Sequence, residues 1–225
     1  MKIGIVSPNF PMRSDPHRAV YVYEAARRLA ELADVRVFCP IAEYVGPFAR
    51  LGPKAADQQG FTVSGVEVEY FGYPAIPVLS RATNGMVCAR RLLPRVRAFS
   101  PDLLLCYWIF PEGYAGLLVG QRLGIPVIVR SIGSDLNRQS DVISRRFIRR
   151  TLQQAQFVLT ASEQLRRRAI QFGATPERSR AVLNGCDASI FYPADKNAAR
   201  AELQVPADAR LVVFVGRVTR EKGIF

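Results

Sequence analysis

Leu211–Phe225 reads LVVFVGRVTREKGIF. From Leu211 to Val215 the residues are apolar and mostly β-branched, the composition of a strand buried on both faces of a parallel sheet. The run stops at Gly216, where the backbone can turn sharply and a ligand can come close. Arg217 follows at once, and Lys222-Gly223 arrives where the next helix should begin. A strand, a turn and two cations aimed at a helix start suit a phosphate or diphosphate. Everything before this stretch reads as one complete α/β domain. The expected organisation is therefore a first domain over 1–190, then, over 191–225, a linker with the first strand and turn of a truncated second domain.

The 225 residues suffice to bury about 70% of the unfolded surface, so a core forms without covalent staples. Hydrophobic residues at 49% and charged residues at 22% are ordinary globular values and exclude a disordered chain. Cys39, Cys88, Cys106 and Cys186 are widely spaced with no C-x-x-C pair, which reads as reduced thiols rather than a disulfide framework or a zinc site. No apolar run approaches the roughly 20 residues of a membrane span, and Met1-Lys2 leads straight into a strand with no signal peptide. A cytoplasmic protein is expected. Lysine and arginine outnumber acids 31 to 19, for a net charge of +12, which calls for an anionic partner.

The upstream pattern alternates strand and helix. Lys2–Ser7 reads as a strand, the apolar positions from Ala19 to Ala33 recur at helical spacing, and Val35–Cys39 reads as a second strand, a βαβ opening of the doubly wound kind. No G-x-G-x-x-G follows the first strand, which argues against a classical dinucleotide site. Val66–Phe71, Asp102–Trp108, Pro126–Arg130, Phe157–Ala161 and Ala181–Leu183 read as further strands. Helices are expected around Asn84–Phe99, with Pro94 a kink or break, and over Glu112–Leu123, Asp141–Ala155, Leu165–Ile170 and Asp195–Leu203. The fold class is α/β, a doubly wound, mostly parallel sheet flanked by helices.

The segment VGRVTREKGIF, preceded by Asn184-Gly185-Cys186-Asp187 and Phe191-Tyr192-Pro193, resembles the interdomain region of family 4 retaining glycosyltransferases. Their two-lobed architecture is called GT-B, and their pattern runs N-G-x-D, F-x-P, strand, G-R-x-x-x-x-K-G. Cys186 stands where valine is usual. The resemblance implies the Rossmann-like first lobe of a GT-B fold and transfer of a sugar from a nucleotide-diphosphate sugar to a glycan or lipid-linked acceptor in surface polysaccharide synthesis. It makes Gly216, Arg217 and Lys222 the clamp on the donor diphosphate, with no metal and no cofactor beyond the nucleotide sugar. The family's glutamate-rich donor motif would lie beyond residue 225, so the chain alone is expected to be inactive.

On the acceptor side the family often carries H-G-S-D, where this chain has Ile132-Gly133-Ser134-Asp135. The usual histidine is replaced by Ile132, and His17 is the only histidine present. The catalytic group is thus unassigned. Asn9, His17 and Arg18 occupy the loop where the family places a glycine pair, and Arg18 could supply charge in place of amides. Glu112, Ser134 and Asp135 sit on loops at the C-terminal ends of strands, where open α/β sheets place ligands. Asp135 has two readings, contact with an acceptor hydroxyl or capping of the following turn.

Arg145, Arg146, Arg149 and Arg150 fall within an arc of about 140° on one helix, and Arg166, Arg167 and Arg168 follow. They read either as a solvated face or as a surface for an anionic membrane, which would place the protein peripherally on the inner leaflet. Two alternatives stand beside the transferase: a nucleotide-sugar epimerase of the same architecture, and a basic nucleic-acid-binding module. The second lacks an aromatic-studded basic strand or a reader motif, so nucleic acid is not the expected partner.

Overall fold

The computed structural model describes all residues except Leu79, 138–140, Arg217 and 224–225. It divides into two compact units, Met1–Asn184 and Gly185–Phe225.

The first unit holds a seven-stranded sheet: β1 (Lys2–Val6), β2 (Asp34–Tyr44), β3 (Glu67–Ala75), β4 (Leu103–Tyr107), β5 (Val127–Ser131), β6 (Phe157–Thr160) and β7 (Ser179–Ala181). Their spatial order is β3-β2-β1-β4-β5-β6-β7. Every pair is parallel, so all C-terminal ends share one edge. The chain steps outward in one direction from β1 to β3 and in the other from β4 to β7. The reversal between β1 and β4 is the crevice where such sheets bind ligands.

Alternation along the strands fills two cores. Leu104 and Cys106 of β4 point to one face, under α2 (Asn84–Phe99), α3 (Tyr114–Leu123), α5 (Val142–Gln154) and α6 (Glu163–Gln171). Leu105 and Tyr107 point to the other, with Ile3 and Ile5 of β1, beneath α1 (Val20–Ala30) and the loop residues Phe10 and Met12. Two helical glycines let α3 lie close to the sheet: a Cβ on Gly116 would stand 2.2 Å from Cys106 Sγ, and one on Gly120 would stand 2.3 Å from Val127 Cγ2.

The helix runs through Pro94 without ending; Pro94 lies on its exposed side, where water can meet the Arg90 carbonyl that loses its helical donor, while Leu92 and Val96 face the core. In the sheet, proline is tolerated where its missing N–H has no partner to lose. Strands β2 and β3 continue well past the ends expected at Cys39 and Phe71. Beyond Phe38, β2 has no register partner on β1 and pairs only with β3, so Pro40 borders the sheet on one side; Pro74 lies on β3, an edge strand. The last strand is Ser179–Ala181 rather than Ala181–Leu183.

The second unit contains one short α-helix, α7 (Lys196–Glu202), capped by Asp195, whose carboxylate accepts from Ala198 N at 2.7 Å. Arg200 ties down its exit loop by donating to the carbonyls of Pro206 and Ala209. The expected strand Leu211–Val215 does not form. The segment is unpaired and exposed, with Val212 at 96% and Val215 at 92% of full exposure. A strand exists only where neighbours take up its N–H and C=O groups, and among the described residues none does so here. Arg220–Lys222 is a single 3-10 turn, followed by Gly223 in the left-handed conformation at φ 69°.

Candidate functional site

At the C-terminal edge of the sheet the segments following β4 and β5 meet, and Asp135 is their knot. It lies in α4 (Ser134–Asn137), and its carboxylate accepts from Ser131 Oγ at 2.8 Å, Gly133 N at 3.2 Å and Ile109 N at 3.0 Å. The first two bonds fold the loop after β5 on itself. The third fastens it to the loop after β4. Burial pushes the Asp135 carboxyl above its ordinary value, although these donors oppose the shift. All three donors precede Asp135 in the chain, so the carboxylate ties back to earlier loops.

Glu112 lies in a π-type turn, Ile109–Gly113, and not at the start of a helix; α3 begins at Tyr114. It is only 5% exposed. Burial pushes its carboxyl up to about 7, opposed by a bond from its own backbone N–H and reinforced by the nearby Asp135. Phe110 stacks on Phe147 of α5 with ring centroids 5.4 Å apart, holding the loop against that helix.

After β1, Arg18 is half-buried and donates Nε to Asn9 Oδ1 at 2.9 Å and Nη1 to Met12 Sδ at 3.7 Å. His17 is exposed. Burial pushes the Cys39 thiol up to about 12, with Arg18 opposing the shift and Glu112 adding to it. Cys39, Cys88 and Cys106 are buried free thiols, and Cys186 is an exposed one.

Beside the loops after β4 and β5, and bounded by the starts of α2 and α5, opens a cleft of about 530 Å³. Ser134 and Asp135 line it as the sequence suggested, together with residues not named there as site candidates, among them Trp108, Asn84, Arg81 and Asp141. Trp108 donates Nε1 to Ser134 Oγ at 3.2 Å. Arg81 pairs with Asp141 at 3.4 Å across the mouth, and Asp141 also caps α5 by accepting from Ser144 N. Asn84 Oδ1, at the start of α2, is shielded from solvent and has no hydrogen-bond partner among the described residues. A tryptophan at the end of a buried strand was the one available sequence signal. The others depend on where α2 and α5 begin in space.

Of the proposed donor clamp, Arg217 lies outside the described residues. Gly216 and Lys222 are exposed and belong to the second unit. Arg145, Arg146, Arg149 and Arg150 are exposed on α5, Arg150 lying over the Tyr114 ring. On α6, Arg167 and Arg168 are exposed, whereas Arg166 is a stitch to β7, donating to Ser179 O and Pro176 O and pairing with Glu163. Among the described residues no cluster of His, Cys, Asp and Glu could hold a metal ion, and no helix is long and apolar enough to cross a membrane.

Residues 19–185 match the family model described as a glycosyl transferase 4-like domain. The chain is 28% identical to the putative teichuronic acid biosynthesis glycosyltransferase TuaC of Bacillus subtilis, covering 100% of this chain and 60% of that protein. It is 30% identical to D-inositol 3-phosphate glycosyltransferase 1 of Catenulispora acidiphila, covering 91% of this chain and 49% of that protein. The chain thus spans about half the length of the curated relatives it matches. In structure it is similar to sucrose-phosphate synthase from Thermosynechococcus elongatus, with a TM-score of 0.70 at 18% identity over 100% of this chain and 57% of that one, which identifies the sheet as the Rossmann-like lobe of a GT-B fold.

Proposed function

The chain belongs to the glycosyl transferase 4-like family, and from that premise we propose that residues 1–190 form the acceptor-binding lobe of an enzyme that moves a sugar from a nucleotide-diphosphate sugar onto a glycan or lipid-linked acceptor in surface polysaccharide synthesis. The observation that carries this reading is the junction of the βα loops after β4 and β5, tied by Asp135, beside a cleft at the C-terminal edge of the parallel sheet. The relatives named for teichuronic acid and inositol 3-phosphate support an acceptor built on hydroxylated rings.

Breaking the anomeric bond leaves negative charge on the departing diphosphate, and fixed cations stabilise it there. In this reading Gly216, Arg217 and Lys222 begin the donor clamp in residues 191–225. Hydrogen bonds to a charged partner contribute about 1.5–3 kcal/mol each, which lets side chains do what a metal does elsewhere. Transfer proceeds with retention at the anomeric carbon, as the G-R-x-x-x-x-K-G resemblance implies. The experiment is nucleotide release and product formation with a panel of nucleotide sugars, in EDTA, by a polypeptide in which residues 1–225 continue into a second lobe. Transfer in EDTA is expected from that protein and none from the 225-residue chain. Turnover by the short chain overturns the division of labour; dependence on added metal overturns the clamp.

The protein works peripherally on the cytoplasmic leaflet, where Arg146, Arg149 and Arg167 meet anionic headgroups. Vesicle flotation tests this: binding to phosphatidylglycerol vesicles should fall about five-fold for each arginine replaced by glutamine, each cation contributing about 1 kcal/mol.

A further inference from the structure

We propose that Trp108 is the platform of a subsite for an uncharged, hydroxylated six-membered ring, a pyranose or a cyclitol, within the acceptor; this rests on the acceptor-lobe reading above. The starting point is a backbone conformation. Trp108 has φ 65° and ψ 134°, a combination that a bulky side chain adopts only under constraint.

The constraint is visible on every side. Trp108 N donates to Arg130 O at 3.0 Å, and Trp108 O accepts from Gly113 N at 2.9 Å. A Cβ on Gly113 would stand 2.5 Å from that same carbonyl, so only glycine fits there. The indole N–H is fixed to Ser134 Oγ, and Ser134 belongs to the loop that Asp135 fastens to Ile109 N. Core packing does not require this posture. The neighbours Tyr107 and Ile109 are buried, whereas Trp108 is half-buried, resting on the core beneath α1 and lining the cleft.

An indole whose single donor is already satisfied has only its apolar, electron-rich face left to offer. The C–H face of a sugar or cyclitol matches that surface, and its hydroxyl edge needs polar partners. The cleft supplies one that is otherwise unsatisfied, Asn84 Oδ1, a shielded acceptor that a ligand hydroxyl would complete. Among the described residues lining the cleft the one cation, Arg81, is engaged with Asp141, which favours a neutral ring over an ionic one. The volume of about 530 Å³ is that of a small-ligand pocket.

Trp108 is the only tryptophan in the chain, so its emission reports this position alone. The 225-residue chain is titrated separately with methyl α-D-glucopyranoside, myo-inositol and uridine diphosphate. A saturable emission change with either ring is expected, and the arm that responds distinguishes pyranose from cyclitol. Asn84→Ala should weaken that response about 5-fold. By saturation-transfer NMR, Trp108→Phe should keep most of the binding and Trp108→Ala should lose at least 10-fold, with unchanged far-ultraviolet dichroism. Silence from both rings, a response to uridine diphosphate alone, or native ring binding by Trp108→Ala overturns the subsite. In the longer transferase, Trp108→Ala should raise the acceptor KM and leave the donor KM alone; transfer with an unchanged acceptor KM sinks the subsite and spares the transferase. Rings that titrate Trp108 in a protein that transfers no sugar sink the transferase and spare the subsite.

Discussion

Two stretches with the same sequence signature end up in opposite surroundings. Leu103–Tyr107 (LLLCY) and Leu211–Val215 (LVVFV) are both unbroken apolar runs. The first is β4, flanked by β1 and β5, with Leu104 and Cys106 fully buried; the second is unpaired, with none of its five side chains buried. Composition states which residues can be buried as a strand. Whether they are depends on neighbours that supply hydrogen-bond partners and a covering layer.

The contrast predicts a large difference in mutational cost. Leu104→Ala should destabilise the first unit by about 2–5 kcal/mol, the combined loss of burial and creation of a cavity, whereas Val212→Ala should stay within about 0.5 kcal/mol. Urea denaturation of both variants decides it, and equal costs would mean that Leu211–Val215 is packed in solution.

The buried region also carries a titrating group that the exposed one lacks. Glu112 holds its proton to about pH 7 in the folded protein, against an ordinary value of 4.5. Below pH 4.5 folded and unfolded states are both protonated and no penalty applies. As the pH rises from 4.5 to 7 the unfolded chain releases the proton first, so stability falls by about 3 kcal/mol and then levels off. Glu112→Gln should abolish this slope, read as the difference in urea midpoint between pH 5 and pH 8.

A smaller effect separates the two capped helices. Asp141 and Asp195 each accept a bond from an N–H three residues on, and replacing either by alanine costs about 1 kcal/mol. Helix α5 buries Ile148, Thr151 and Leu152 and should survive Asp141→Ala. Helix α7 has seven residues and buries none, so Asp195→Ala should unfold it. Amide hydrogen exchange at Ala199 and Leu203 reads the difference.

Much of the first unit was legible because its signals are local. Lys2–Val6 is a short run, apolar after its first residue, that ends just before Pro8, and Val22 and Ala26 mark one helical face. Where the reading failed, the deciding fact was a neighbour. Pro40 and Pro74 look like strand ends unless one knows that β2 outruns β1 and that β3 is an edge. The site was half legible: Ser134 and Asp135 sit at a strand end in the chain itself, but Asn84 and Arg81 reach the cleft only because α2 starts beside α5.

Arg130 of β5 is 8% exposed, and its Nη2 donates at 2.9 Å both to Val182 O and to Asn184 Oδ1, the latter on the final residue of the first unit. A guanidinium clasping the exit of the polypeptide in this way acts as a mooring. Loss of that one guanidinium would strip a donor from the Val182 carbonyl and from the Asn184 side chain at once, so a single substitution loosens the last residues of the first unit.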